Sequence, residues 1–234
     1  MGVLNYENMN ASGERYFLAT TLPKLLGRKP KLCMDVGANV GNYTSMLIEL
    51  YPDCQVYSFE PHPKSAFLLK QRFKTNKIEV FELAVSDSNG DAILYDKNER
   101  GTELASLYRA ALETDRGDIF SSCVRKISID SFLKIKEINE IDFMKIDVEG
   151  AEIDVIKGCS MALSEKKIGC IQFEFNEMNV INRVFLRDIR ALLKDYVIYR
   201  LLSKGMIPIF EWPLFSEIFG YQNIVAIRKD FVQQ

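Results

Sequence analysis

Met34-Asp35-Val36-Gly37-Ala38-Asn39-Val40-Gly41-Asn42-Tyr43 carries this chain from one periodicity to another. Residues 31–36 form a short apolar run that predicts a strand. Residues 40–51 set Met46, Leu47 and Leu50 on one helical face, and Pro52 closes the pattern just beyond. Between the two, Gly37 and Gly41 permit a tight turn and close backbone approach, so a ligand can lie against the turn at the carboxyl edge of a sheet.

What lies there is a question of charge. A dinucleotide turn reads G-x-G-x-x-G and leaves its backbone donors free for a pyrophosphate, but here Asn39 takes the place of the middle glycine. Asp35, two residues before the first glycine, repels a phosphate and attracts a ligand bearing an ammonium and a sulfonium, as S-adenosylmethionine does. Glu60, at the end of the next strand, is placed to accept hydrogen bonds from both hydroxyls of a ribose. A nicotinamide cofactor uses an acid at the same place, so Glu60 alone does not choose between them.

Working outward, the pattern alternates short apolar runs with amphipathic stretches, the mark of βαβ units and a mostly parallel sheet. Strands are expected at 55–59, 78–85, 92–95, 124–129, 141–148, 168–175, 196–202 and 223–227, and helices from Pro63, over 150–164 and over 182–194. The last two strands have no helix between them, which predicts a hairpin with one antiparallel member. Residues 1–30 read as a helical preface whose Tyr16, Phe17, Leu18, Leu22, Leu25 and Leu26 could cover an edge of the fold. Residues 31–234 read as one domain with an irregular insertion around 88–123.

The chain's 234 residues, 47% of them hydrophobic, suffice for one large α/β domain. Thirty basic against 32 acidic side chains leave a net charge of −2, without the excess that drives binding to nucleic acid. Cys33, Cys54, Cys123, Cys159 and Cys170 are scattered and odd in number, which fits a reducing, cytoplasmic setting better than a disulfide framework or zinc site. No run reaches membrane-spanning length and the first ten residues lack signal-peptide character, so neither a membrane partner nor export is expected. A homo-oligomer is left open.

Five segments together resemble the class I S-adenosylmethionine-dependent methyltransferases, and more narrowly the FkbM type. They are Asp35-Val36-Gly37-Ala38-Asn39-Val40-Gly41, Phe59-Glu60-Pro61-His62-Pro63, Ala84-Val85-Ser86-Asp87, Lys145-Ile146-Asp147-Val148-Glu149-Gly150-Ala151-Glu152 and Phe173-Glu174-Phe175-Asn176. The resemblance spans about residues 33–227. It implies a single-domain Rossmann-like α/β fold, with helices on both faces of a mostly parallel seven-stranded sheet whose last strand is antiparallel. It also implies that Asp35, Gly37 and Asn39 line the methionine portion of the cofactor; Ala38, Gly41 and Asp147 are expected among the cofactor-binding residues, with Asp147 shaping the pocket floor. Glu60 would meet the ribose, Ala84, Val85 and Ser86 the adenine, and Pro61 and His62 would flank the pocket. O-methylation of a small-molecule or sugar-containing acceptor is implied in the same way.

Methyl transfer to a hydroxyl needs a group that takes the acceptor's proton, and Asp147, Glu149 and Glu174 stand near strand ends on the cofactor's side. If the strand persists, Asp147 and Glu149 share a face, and like charges at close range raise one pKa toward a useful value. Glu149 is expected nearest the acceptor. The same acids could instead cap the following helix, or hold Mg²⁺ or Ca²⁺, although no dedicated metal loop is present. His62, the only histidine, suits wall duty better than catalysis. Phe210, Trp212, Phe215, Phe219 and Tyr221 read as core or lid, and the loop bearing Arg100, Thr102, Ser106, Tyr108 and Arg109 as the place of acceptor selection. Three other readings stay open: a nicotinamide-dependent oxidoreductase, a nucleic-acid or protein methyltransferase, and a non-catalytic cofactor-binding partner.

Overall fold

A computed structural model describes residues 2–97, 105–113, 118–210 and 217–232. A helical stretch opens the chain as α1 (Glu14–Tyr16), a π-helical turn (Phe17–Thr21) and α2 (Leu22–Leu26), ended by Gly27 in the left-handed conformation that suits a helix stop. Then β1 (Leu32–Val36) leads through the glycine turn to α3 (Asn42–Leu50) and β2 (Gln55–Phe59). Helix α4 (Pro63–Arg72) starts on a proline, where a missing N–H costs nothing, and returns the chain to β3 (Ile78–Phe81).

The run 78–85 is interrupted: β3 stays in the main sheet, while β4 (Ala84–Val85), β5 (Gly90–Asp96) and β6 (Phe120–Ile127) form a separate three-stranded sheet in the order β4-β6-β5. Between β5 and β6 lies α5 (Arg109–Leu112). The stretch read as irregular is therefore partly a β-ribbon, in which β6 takes up residues 120–122 to pair with β5.

After α6 (Ile129–Lys136) and β7 (Ile141–Ile146), the helix expected over 150–164 is two: α7 (Glu152–Lys157) and α8 (Ser160–Ser164). They break at Gly158, where any Cβ would stand 2.1 Å from the Ser86 carbonyl oxygen. Next come β8 (Ile168–Phe175), α9 (Glu177–Ile181), α10 (Leu186–Leu192), β9 (Tyr196–Leu202), β10 (Gly205–Pro208), β11 (Gln222–Arg228) and α11 (Lys229–Val232).

The main sheet runs β10-β9-β11-β8-β7-β1-β2-β3. Strand β11 is antiparallel to both neighbours, β8 and β9, as expected of the last strand. The hairpin differs from expectation, because β9 turns back into β10, an eighth strand at the sheet edge, and β11 inserts between β8 and β9.

Side chains alternate across this sheet. Met34, Val36, Met144, Ile146, Ile171 and Phe173 face one apolar cluster with α7 and α10, while Cys33, Phe143, Cys170 and Val225 face another. Phe17, Leu18 and Leu22 of the N-terminal helices pack into that second cluster, so the preface covers a face of the sheet and not an edge. Among the described residues no helix is long and apolar enough to cross a membrane.

Candidate active site

Strand alternation carries polar residues onto that second face at the carboxyl end of the sheet. Asp35 pairs with Lys145 across β1 and β7, Lys145 with Gln172 across β7 and β8, and Glu174 with Asn223 across β8 and β11. All five lie on the side of Phe143 and Cys170, beneath the N-terminal segment. A buried charge needs a partner, and Lys145, 2% exposed, has three. Its Nζ is 3.2 Å from Asp147 Oδ2, 3.6 Å from Glu174 Oε1 and 3.9 Å from Glu14 Oε1. Burial opposes its charge, yet these carboxylates hold the ammonium well above the usual lysine range.

Neutral donors complete the band. Gln172 Nε2 donates to Glu14 Oε1 and to Asn223 Oδ1, both at 2.8 Å, and its Oε1 accepts from the Tyr43 hydroxyl at 2.8 Å. Asn223 Nδ2 donates to the Tyr221 oxygen at 3.2 Å, and the Tyr221 hydroxyl donates to Glu174 Oε1 at 2.8 Å.

The glycine turn lies against this band. Gly37 has φ +84°, and a Cβ there would fall 1.7 Å from the Asp147 carbonyl oxygen, so only glycine lets the ends of β1 and β7 close. Asn39 is also left-handed, with φ +47°, and its N–H donates to Glu60 Oε2 at 2.8 Å. The His62 N–H donates to the other oxygen, Oε1, at 2.8 Å. Burial outweighs these two bonds and pushes the Glu60 carboxyl up to about 7.

Strand β7 ends at Ile146, so alternation is not what brings Asp147 and Glu149 together. The loop after it turns through Glu149 at φ +51° and Gly150 at φ +94°. Glu152 holds that shape: its Oε1 accepts from the N–H groups of Val148 and Gly150, both at 3.2 Å, and its Oε2 accepts from Asn179 Nδ2 at 2.7 Å. A left-handed glutamate kept in place by such bracing stores strain, which recurs at functional sites.

Two cavities meet at this turn. One is lined by Glu60 and Pro61 together with apolar groups of Phe59, Leu83, Ala84, Val85, Leu94 and Leu107. The other, about 320 Å³, is lined by the charged band, by Ala38 and Tyr43, and by Tyr6, Asn8, Met9, Ser12 and Glu14 of the N-terminal segment. Gly37, Asn39, Asp147 and Glu149 line both. Burial first, then the Asp147, Glu174 and Glu152 charges, keep the Glu149 carboxyl well above the usual range. Burial and Asp147 likewise push Glu174 up to about 8, against the pull of Lys145 and Tyr221.

Several expected contacts stand elsewhere. Asp35, 1% exposed, lines neither cavity; it lies under the turn, where Oδ2 accepts from Thr44 Oγ1 at 2.5 Å, and burial raises it to about 6. Its carboxylate faces Lys145 and Thr44 of α3. Gly41 also lines neither cavity, since its open side meets Leu69 and Phe73. His62 caps α4, its Nδ1 accepting from the Lys64 N–H at 3.2 Å, and Ser86 is buried with its N–H on the Ile127 carbonyl. The insertion, expected to select the acceptor, sends Leu94, Ala105 and Leu107 to the apolar cavity, while Ser106 Oγ donates to the Glu149 carbonyl at 2.7 Å. Arg100, Thr102, Trp212, Pro213 and Phe215 lie outside the described residues.

Lys145, Tyr43, Gln172, Asn223 and Glu14 were not singled out as site residues, yet they build the polar wall. A signal for two of them is in the sequence: a lysine and a glutamine inside largely apolar strands need buried partners. Among the described residues no cluster of three or more histidine, cysteine or acidic side chains is arranged to hold a metal ion.

Residues 35–198 match the model of the methyltransferase FkbM domain family. The chain is 23% identical over 193 residues to the 2-O-methyltransferase NoeI of Sinorhizobium fredii, across 78% of this chain and 79% of that protein. The crystal structure of methyltransferase FkbM from Methylobacillus flagellatus superposes with a TM-score of 0.52 at 16% identity, over 84% of this chain. The chain spans less than half, 43%, of that protein. The plantazolicin methyltransferase BpumL, solved with a desmethylPZN analogue and S-adenosylhomocysteine, superposes at 0.53 with 8% identity, across 95% of this chain and 86% of that one. At such identities the likeness to the two structures shows the fold.

Proposed function

Because the chain belongs to the FkbM methyltransferase domain family, and so is an S-adenosylmethionine-dependent methyltransferase, we propose that it methylates a hydroxyl oxygen of a small-molecule or sugar-containing acceptor at the seam of the two cavities. The observation that carries this reading is the seam itself: Gly37, Asn39, Asp147 and Glu149 border an apolar slot on one side and a charged cavity on the other.

The slot carries the groups that an adenosine needs. Leu83, Val85, Leu94 and Leu107 offer apolar faces for a base, and Glu60 keeps carboxylate lone pairs beyond the two taken by backbone N–H groups, enough to accept ribose hydroxyls. Past Gly37, whose missing Cβ lets the Asp147 main chain close against the turn, Asp147 offers a carboxylate to the ammonium of the amino-acid end. When bound, S-adenosylmethionine supplies an electrophilic methyl on a sulfonium, whose carbon–sulfur bond breaks with its electron pair passing to sulfur as the acceptor oxygen bonds to carbon.

The chain's own tasks are alignment and the proton. Glu149, at the seam, takes the acceptor's hydroxyl proton as general base; its raised pKa brings it nearer the range where such a base is effective. Glu174 is already engaged by Tyr221 and Lys145, and we assign it to holding the wall. Lys145 supplies the cation that these acids require, so the reading includes no resident divalent metal. Methylation that persists in excess chelator is expected, and its loss there would reinstate a metal.

Calorimetry tests the proposal. S-adenosylhomocysteine should bind in the micromolar range or tighter, with NAD showing no heat. NAD binding would return the oxidoreductase reading, and silence from both would remove the enzyme described here.

A further inference from the structure

The two cavities draw their walls from different parts of the chain. Every residue lining the apolar slot lies between Gly37 and Glu149, inside the stretch 35–198 shared with the family. The charged cavity adds Tyr6, Asn8, Met9, Ser12 and Glu14 from before that stretch and Tyr221 from after it. We propose that the segment 6–14 together with Tyr221 selects the acceptor, that Glu14 is the residue positioning this segment, and that the wall takes an uncharged, hydroxyl-bearing acceptor while rejecting one with an anionic group beside the reacting oxygen. The inference rests on the methyl-transfer reading above and deepens it.

Glu14 joins the segment to the reaction site. Its Oε2 accepts from Ser12 Oγ at 2.7 Å within the segment, and its Oε1 accepts from Gln172 Nε2 and faces Lys145 Nζ at 3.9 Å. Gly13, at φ +87°, presses the segment on β9, where a Cβ would stand 1.9 Å from the Leu202 carbonyl oxygen. At the other end the Leu4 N–H donates to the Tyr221 carbonyl at 2.8 Å, and the Tyr6 ring meets the Tyr221 ring edge-on at 5.8 Å. The segment is thus tied to the sheet at both ends, while Tyr6 itself remains 66% exposed and available to a ligand.

Charge sets the selection. Glu14, Asp147, Glu149 and Glu174 line the cavity against Lys145 as its one cationic side chain among the described residues. With Glu149 and Glu174 protonated near neutral pH, Glu14 and Asp147 still outnumber Lys145, so beside S-adenosylhomocysteine, which lacks the sulfonium charge, the chamber stays negative, and its carboxyl oxygens accept from hydroxyl donors and repel an anion. Asn8, Asn42 and Ser12 add side chains that both donate and accept, which suits a ring carrying several hydroxyls.

The test uses wild-type protein saturated with S-adenosylhomocysteine and saturation-transfer NMR with methyl α-D-glucopyranoside, glucuronate and glucose 6-phosphate as probes. The neutral glycoside should bind about tenfold or more tightly than either anion. Tyr6→Ala, at an exposed position, and Glu14→Gln should each weaken it about fivefold while the S-adenosylhomocysteine Kd stays within about twofold, with Glu14→Asp restoring part of the loss. An anion that binds as well as the glycoside, a glycoside that does not bind, or both variants binding it like wild type would overturn the inference. Wild-type protein that fails to bind S-adenosylhomocysteine would instead sink the methyl-transfer reading on which it rests.

Discussion

One half of the cleft is apolar, built by strand ends and the β4-β6-β5 ribbon; the other is a charged chamber closed by the N-terminal segment. In the first, Glu60 is the carboxylate that the chamber does not share, and its two backbone bonds reach only its own strand end and the glycine turn. In the second, one lysine holds carboxylates from three separate segments. Damage to the slot should therefore stay local and read out in cofactor affinity, whereas damage to the chamber should spread.

The largest effect is expected from Lys145→Met. It leaves Asp147, Glu174 and Glu14 without their cation, and breaking a buried pair in this way costs about 3–5 kcal/mol. A chain of this size should lose about 2–4 °C of Tm per kcal/mol in a thermal melt, and methyl transfer with it. A Tm within a degree of wild type would mean that the chamber is not one electrostatic unit.

Glu149→Gln should divide chemistry from stability. Turnover should fall by about 10²–10⁴ as the base is lost. The fold should move the other way: the folded-state pKa of Glu149 lies above its unfolded value, so the native state binds the extra proton between the two. The Glu149 contribution to stability is thus fully present below the ordinary carboxylate range and is lost as pH rises through the folded pKa. The variant escapes that decline, so the two proteins should melt together near pH 4 and the variant should melt higher at pH 8. The reverse order at pH 8 would place Glu149 in a stabilising ion pair, which it does not make among the described residues.

Smaller effects belong to the slot. Glu60→Gln should weaken S-adenosylhomocysteine by about 1–3 kcal/mol, because an amide cannot accept from both N–H groups and also from ribose hydroxyls at full strength. Leu107→Ala, at a half-buried wall position, should raise the same Kd only a few-fold by calorimetry, about 1 kcal/mol or less, with the Tm nearly unchanged.

Much of the slot was legible because its signals are local. A strand, two glycines and an acid at the next strand's end place Gly37, Asn39 and Glu60 without any long-range information. The chamber was less so, since Glu14 meets Gln172 across 158 positions and Tyr221 meets Glu174 across 47. Asp35 shows the limit of a local charge argument. Its place in the sequence is right for a ligand contact, but strand alternation turns its side chain under the turn toward Lys145 and Thr44. Glu149 shows the opposite case, where alternation was the wrong reason for a right location: the strand stops at Ile146, and a left-handed turn braced by Glu152 delivers the side chain to the seam. The split of 150–164 into two helices was hidden for a similar reason, since only packing of Gly158 on Ser86 reveals it.

Diffraction from crystals of the protein grown with S-adenosylhomocysteine tests the two-part cleft most directly. Adenine should lie among Val85, Leu94 and Leu107, the ribose hydroxyls on Glu60, and the sulfur over Gly37 beside Glu149, with the amino-acid end in the charged chamber. An adenosine seated in the chamber against Lys145 and Glu14, with the slot empty, would contradict the account.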